Sequence, residues 1–294
     1  MDFELRIIKW FQEIATDFTD ILGEAFTILG EQVIIVGVIA LIYFVYNKKA
    51  GEYIAYSVFL SACINGAIKG IVRAERPFQV DATIEGKRAQ TATGYSFPSG
   101  HAQNAASFYT SLGMHFKNKK LWIAIAIIIF LVAISRVYLG VHFPRDVIVG
   151  ALLGISAAII SYYLFNSVYE NPKRKLLLFV VTGLIFFPFL FIFYQKKYVD
   201  IELYRDFYIT YALYLGFGSA IFIENKFVSF DCTGKLNKRI IRFIGAIVIF
   251  LGLQIVLKAI FPKENILFDM LRYFLTAFVP LGIFPLFFKK LGLM

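Results

Sequence analysis

Lys69, Arg76, Ser99, Gly100, His101, Arg136, His142 and Asp146 have types and spacings that could do chemistry together. They fall in three clusters: Lys69 with Arg76-Pro77 seven positions on, Pro98-Ser99-Gly100-His101, and Ser135-Arg136 followed by His142 and Asp146. The chemistry they suit is hydrolysis at phosphorus. Arg76 offers a rigid fork of donors matched to phosphate oxygens, and Lys69 and Arg136 add positive charge. Ser99 and Gly100 open a helix, where a glycine admits close approach and the free amides of the first turn attract an anion. His101, at that same helix start, can hand a proton to a leaving oxygen. His142 and Asp146 are four apart, so a carboxylate at a helix start can hold one ring nitrogen and leave the other free to attack. That is the histidine and orienting-acid half of a triad, with the histidine itself as nucleophile. Singly, each cluster has a plainer reading: a snorkelling lysine, a serine-proline cap, interfacial charges. Jointly, accident would have to bring two of the chain's three histidines, three cations and an acid to one side of a membrane.

A membrane is where composition puts the chain. It is 59% hydrophobic and 17% charged with a mean hydropathy of +0.70, more apolar and less charged than soluble domains. The opening MDFELRIIKW is charged rather than apolar, so no cleavable signal peptide is expected. A net charge of +10 raises the question of nucleic acid, but Lys and Arg gather at span ends and no basic patch interleaves with aromatics. Nucleic acid is therefore not an expected partner; the bilayer is. Cys63 and Cys232 lack metal-ligand spacing and are not expected to pair. With no other cluster of carboxylates or histidines at ligand spacing, no metal and no cofactor are expected.

The elements that must position the clusters read as all-α. Residues 3 to 29 carry Ile7, Phe11, Ile14, Phe18, Leu22 and Phe26 at helical spacing, which predicts one amphipathic helix lying in the interface. Apolar runs then predict nine crossings, at about 31–47, 51–70, 100–116, 120–138, 146–166, 175–195, 206–223, 240–260 and 268–288. The third is half polar, with Gln103, Asn104, Ser107, Thr110 and Ser111, as suits a helix facing other helices. This divides the chain into an interfacial segment (1–30), a five-span core (31–170) and a four-span region (171–294) without a readable motif. Alternate connections hold Lys48 and Lys49, then Lys117, Lys119 and Lys120, then Lys173, Arg174 and Lys175, so that side is expected to be cytoplasmic. The loop 71–99, the bend at 139–145 and the loops near 200 and 264 then share the other face with all three clusters. His115 falls on the cytoplasmic side, as an interfacial residue. Glu224, Gln254, Lys258 and Arg272 also read as interfacial, and Pro188, Pro280 and Pro285 as kinks or helix ends.

In order and spacing, K-x6-R-P, P-S-G-H and S-R-x5-H-x3-D resemble the signature of the type 2 phosphatidic acid phosphatase superfamily, with no departure at any motif position. The resemblance covers roughly residues 31–166. It implies a metal-independent phosphatase on a helical bundle, acting on a lipid phosphomonoester or terminal diphosphate in a bacterial plasma membrane, with its site facing outside. It implies that His142 forms a phosphohistidine, that Asp146 orients it, and that His101 protonates the leaving group. Lys69, Arg76, Ser99, Gly100 and Arg136 would cradle the non-bridging oxygens. Phosphoryl transfer to an acceptor other than water, and a non-catalytic lipid carrier or scramblase, remain as alternatives.

Overall fold

The computed structural model describes residues 2–195, 201–262 and 265–294; parts of the loops near 200 and 264 lie outside the described residues. Among the described residues every regular element is a helix. The N-terminal segment is two helices rather than the expected one, α1 (Asp2–Glu13) and α2 (Asp17–Ile28). Thr16 makes the break: its Oγ1 accepts from the Thr19 amide at 3.3 Å while its own amide donates to Thr19 Oγ1 at 2.8 Å. Such a capping box stabilises a new helix start by about 1 kcal/mol, a local preference that apolar periodicity does not register.

α3 (Gln32–Leu41) runs on through a π-turn (Ile42–Tyr46) to Asn47, which caps α4 (Lys48–Val72) by accepting from the Ala50 amide at 2.9 Å. α4 stops where Arg73 turns left-handed, at φ 54°, which leaves Lys69 in the last turn. A four-residue helix, α5 (Pro77–Val80), follows, and then the long loop. α6 (Gly100–Phe116), α7 (Lys119–Tyr138) and α8 (Pro144–Val168) complete the motif-bearing part. α9 (Pro172–Gln195), α10 (Arg205–Phe227), α11 (Leu236–Ile260) and α12 (Ile266–Phe278) follow. Pro188 stays inside α9, whereas Pro280 and Pro285 turn the end of α12 into π (Val279–Ile283) and 3-10 (Phe284–Phe287) geometry.

The protein is a polytopic helical membrane protein. Among the described residues seven helices are long and apolar enough to cross, and an eighth span exists if α2 and the α3 segment, which meet at 45°, form one bent crossing. The expected nine therefore exceeds what length and hydropathy support. α6 is the shortfall, at 17 residues with a polar face. That face is buried between helices: the Ser107 and Ser111 hydroxyls meet Ser57 Oγ of α4 at 3.1 and 2.9 Å. α6 packs closely on α8 because Gly150 and Gly154 carry no side chain there: a Cβ at 150 would come within 2.7 Å of the Ser99 carbonyl, and one at 154 would overlap that of Gln103. α4 closes this three-helix core, and α10 in turn packs on α4.

The C-terminal helices bury aromatic rings such as Phe193, Phe207, Tyr211 and Phe217 against α4, while α11 turns Ile244, Val248, Leu251 and Ile255 outward. Two of the charges read as interfacial are instead buried pairs. Glu224 is fully buried 2.5 Å from Lys48, and Arg272 meets Asp269 at 2.8 Å. A charge inside a span survives by finding a partner there, and hydropathy alone cannot reveal that partner. Lys258 is exposed, Gln254 reaches Thr276 Oγ1 at 3.4 Å, and both cysteines are free.

Candidate active site

Helix ends bring the three clusters together. α8 begins with Pro144 at its first position, and Asp146 sits in that first turn, where its Oδ2 accepts from the Phe143 amide at 3.0 Å. The same oxygen lies 3.4 Å from His142 Nδ1, four residues back and on the side expected. Contacts of this kind are often long in a free enzyme and tighten around substrate. His142 is placed by the bend after α7: Gly140 has φ +69°, and a Cβ there would also overlap the Glu85 carbonyl, so position 140 requires glycine. The other ring nitrogen, Nε2, faces Arg76 Nη1 at 3.3 Å. Since guanidinium only donates, Nε2 is the acceptor and the ring proton belongs on Nδ1, toward Asp146. The ring's free lone pair is therefore the one next to Arg76. Burial, and then the charges of Arg76, Lys69 and Arg136, push the His142 pKa well below the ordinary histidine range, which keeps the imidazole neutral.

The cations are held by neutral oxygens. Arg76 donates to the carbonyls of Thr93 (2.6 Å), Gly94 (3.1 Å), Tyr95 (3.4 Å) and Val141 (2.9 Å). Lys69 Nζ donates to the Tyr95 carbonyl. Arg136, fully buried, gives Nη1 to Thr27 Oγ1 at 2.7 Å and leaves Nε and Nη2 without a partner. Ser99, also fully buried, stands at the N-cap of α6 but does not cap it, so its hydroxyl is likewise unpartnered. Buried donors left open are costly unless something arrives to accept them, and these would suit the oxygens of a phosphate. His101 follows in the first turn of α6, half-buried. The third histidine, His115, lies at the far end of α6 against Tyr46 and Phe116.

Sequence reasoning missed four supporting residues. Ser96 Oγ donates to Asp146 Oδ2 at 2.5 Å and fixes the carboxylate from the loop side. Asn65 Nδ2 holds the Pro98 carbonyl at 3.2 Å and Gln103 Oε1 at 2.8 Å, and Gln103 Nε2 anchors to the Ser61 carbonyl at 2.7 Å. Thr27 is the partner of Arg136. Asn65 and Gln103 carried a signal, as polar amides inside apolar runs; Ser96 and Thr27 carried none. Among the described residues no group of three His, Cys, Asp or Glu side chains is placed to hold a metal ion.

A family described as "PAP2 superfamily" matches residues 51–170, which contain every motif residue. Phosphatidylglycerophosphatase B of Bacillus subtilis is 31% identical over 56% of this chain and 78% of its own length. The chain belongs to the PAP2 superfamily. It is a phosphoric ester hydrolase of the membrane, and residues 208–294, which show no readable motif, match "PAP2 superfamily phosphatase, transmembrane extension". Undecaprenyl-diphosphatase of Sulfolobus acidocaldarius is 37% identical over 46% of this PAP2 chain and 64% of its own length. Glucose-6-phosphatase catalytic subunit 1 of Bos taurus is 26% identical over 65% of the chain and 63% of its own length.

Proposed function

We propose that this PAP2 protein hydrolyses a lipid phosphomonoester or terminal lipid diphosphate through a phosphohistidine on His142. The observation that carries the reading is the pairing of an unprotonated His142 Nε2 beside Arg76 with the open donors of Arg136 and Ser99. The substrate's non-bridging oxygens take hydrogen bonds from Arg76, Lys69, Arg136, Ser99 Oγ and the first amides of α6 at Gly100. Nε2 attacks phosphorus, the bond to the leaving oxygen breaks, and that oxygen takes a proton from His101. Asp146 steadies the Nδ1–H and the positive charge the ring acquires. Water then attacks the phosphohistidine, giving its proton to His101, and inorganic phosphate leaves with Nε2 restored.

In this reading α6 crosses as well, facing protein on its polar side, which gives nine spans when α2 and the α3 segment form one bent crossing, with α1 at the interface. Residues 31–170 are the catalytic core and 171–294 an appended region. The lysine-rich connections then face the cytoplasm by their positive charge, and the site opens on the outer side of a bacterial plasma membrane. Those names also make phosphatidylglycerol phosphate and undecaprenyl diphosphate leading substrates. The test is phosphate release by the purified protein from a panel of phosphatidate, phosphatidylglycerol phosphate, undecaprenyl diphosphate and a sphingoid phosphate. His142→Ala is expected to lose activity by several orders of magnitude, about 10⁴-fold or more, because the nucleophile is gone. Full release by that variant from every lipid would sink the mechanism. A label appearing on an acceptor other than water would reassign the reaction as phosphoryl transfer.

A further inference from the structure

We propose that the appended C-terminal region is a working part of the phosphate site, with Asp206 at the start of α10 as a positioning residue for Lys69 and Arg76. The proposal rests on the phosphatase reading above and adds a role for residues beyond the motifs.

The link is the loop 93–96. Three consecutive carbonyls of that loop, those of Thr93, Gly94 and Tyr95, grip the Arg76 guanidinium, and the last also holds Lys69. Its next residue, Ser96, fixes Asp146. One short stretch of backbone therefore sets two cations and the orienting acid at once. Within the core the loop is tied by the Ser96 amide to the Ala74 carbonyl at 2.8 Å. On its other side the C-terminal region holds it. Thr93 Oγ1 donates to Asp206 Oδ2 at 2.6 Å. Gly94, at φ +60°, lies so close to the Leu203 carbonyl that a Cβ would stand 3.2 Å from it. The Tyr95 ring meets the Tyr204 ring edge-on at 6.0 Å, and Tyr204 stacks on Phe193 at 4.9 Å. Phe193 in turn fills the space over Gly70, the residue after Lys69, where any Cβ would overlap its ring. The charge of Asp206 also acts on both Lys69 and Arg76. The outer ends of α9 and α10 thus brace the loop, and the helix end, from which both cations project. Buried cations held only by carbonyls have no carboxylate of their own to fix them, so the backbone that holds them must itself be held.

The experiment uses the full chain in detergent and measures kcat and KM for phosphate release, together with the inhibition constant of orthovanadate as a probe of the oxygen cradle. Asp206→Ala and Thr93→Val are expected to lower kcat roughly tenfold to a hundredfold and to weaken orthovanadate in parallel, with KM for the lipid changed by less than about threefold. The double variant is expected to be no worse than Asp206→Ala alone, and Asp206→Glu to regain part of the loss. Glu224→Gln, which weakens the junction between α10 and α4 at its far end, is the control: it is expected to lower the unfolding temperature and leave kcat in place. Unchanged kcat and orthovanadate affinity in Asp206→Ala would overturn the proposal, as would multiplying effects in the double variant or an equal loss of kcat in Glu224→Gln. His142→Ala runs alongside. If wild-type activity does not depend on His142, the phosphatase reading fails, and orthovanadate binding followed by thermal shift still tests the brace.

Discussion

The motif-bearing half and the C-terminal helices both bury positive charge, and they differ in how they partner most of it. Where the C-terminal helices meet one another or the core, most buried cations have a carboxylate: Lys48 with Glu224 at 2.5 Å, Lys175 with Glu52 at 2.8 Å, and Arg272 with Asp269 at 2.8 Å, an acid that half-buried Arg205 shares; Arg242 is the exception, held by the carbonyls of Leu293 and Asp231 at 2.6 Å each. At the motif site, Lys69, Arg76 and Arg136 have none within ion-pair distance among the described residues; carbonyls and one hydroxyl hold them. Closed pairs act as joints between helices. A surplus of buried charge tolerated by neutral oxygens leaves a standing demand for an anion, which in the proposed reading the substrate supplies. Pairing separates these three joints from the site more sharply than burial does, because both groups are buried.

Three measurements would break or sharpen this contrast. Glu224→Ala strands the Lys48 ammonium in the interior, so a loss of about 3–5 kcal/mol in unfolding free energy is expected, with the surviving folded protein still active; a neutral result would mean the joint is not one. Arg136→Met goes the other way. It removes a charge that has no acid partner, and activity is expected to fall about 10²–10³-fold while thermal stability holds or rises. A variant that was active but unfolded easily would place Arg136 among the joints. The smallest effect is the pH dependence set by His142. Its folded pKa lies below its unfolded value near 6.5, so the unfolded chain binds more protons as pH falls. Its contribution to stability is therefore present above about pH 6.5 and is lost on the acid side, by at most about 1.4 kcal/mol per pH unit. Unfolding temperatures between pH 8 and 5 should show that decline, and His142→Gln should flatten it.

The proposed constellation was legible as three clusters because each sits at a helix boundary, where residue type and backbone geometry are read together. Proline at 144 and an acid at 146 announce a helix start, and Gly140 announces the bend that turns His142 toward it. What failed to show was tertiary. Ser96 is an ordinary loop serine until folding sets it against Asp146, and Thr27 reaches Arg136 from 109 residues away. Asp206 lies 113 residues from Thr93, and no periodicity connects them. The break at Thr16 was local and still missed, because two facing threonine hydroxyls outweigh an unbroken apolar stripe. The burial of Glu224 and Arg272 was hidden for a simpler reason: hydropathy scores a charge by type and not by its partner.

Gly150 and Gly154 leave α6 and α8 touching main chain to main chain, and the Ser99 amide donates to the Asp146 carbonyl at 2.9 Å across that seam. The gap between Ser99 and Asp146, the proposed cradle and the proposed orienting acid, is thus written in peptide atoms, which do not hop between rotamers. The spacing of Ser99 from Asp146 is therefore fixed by backbone contact rather than by side-chain packing.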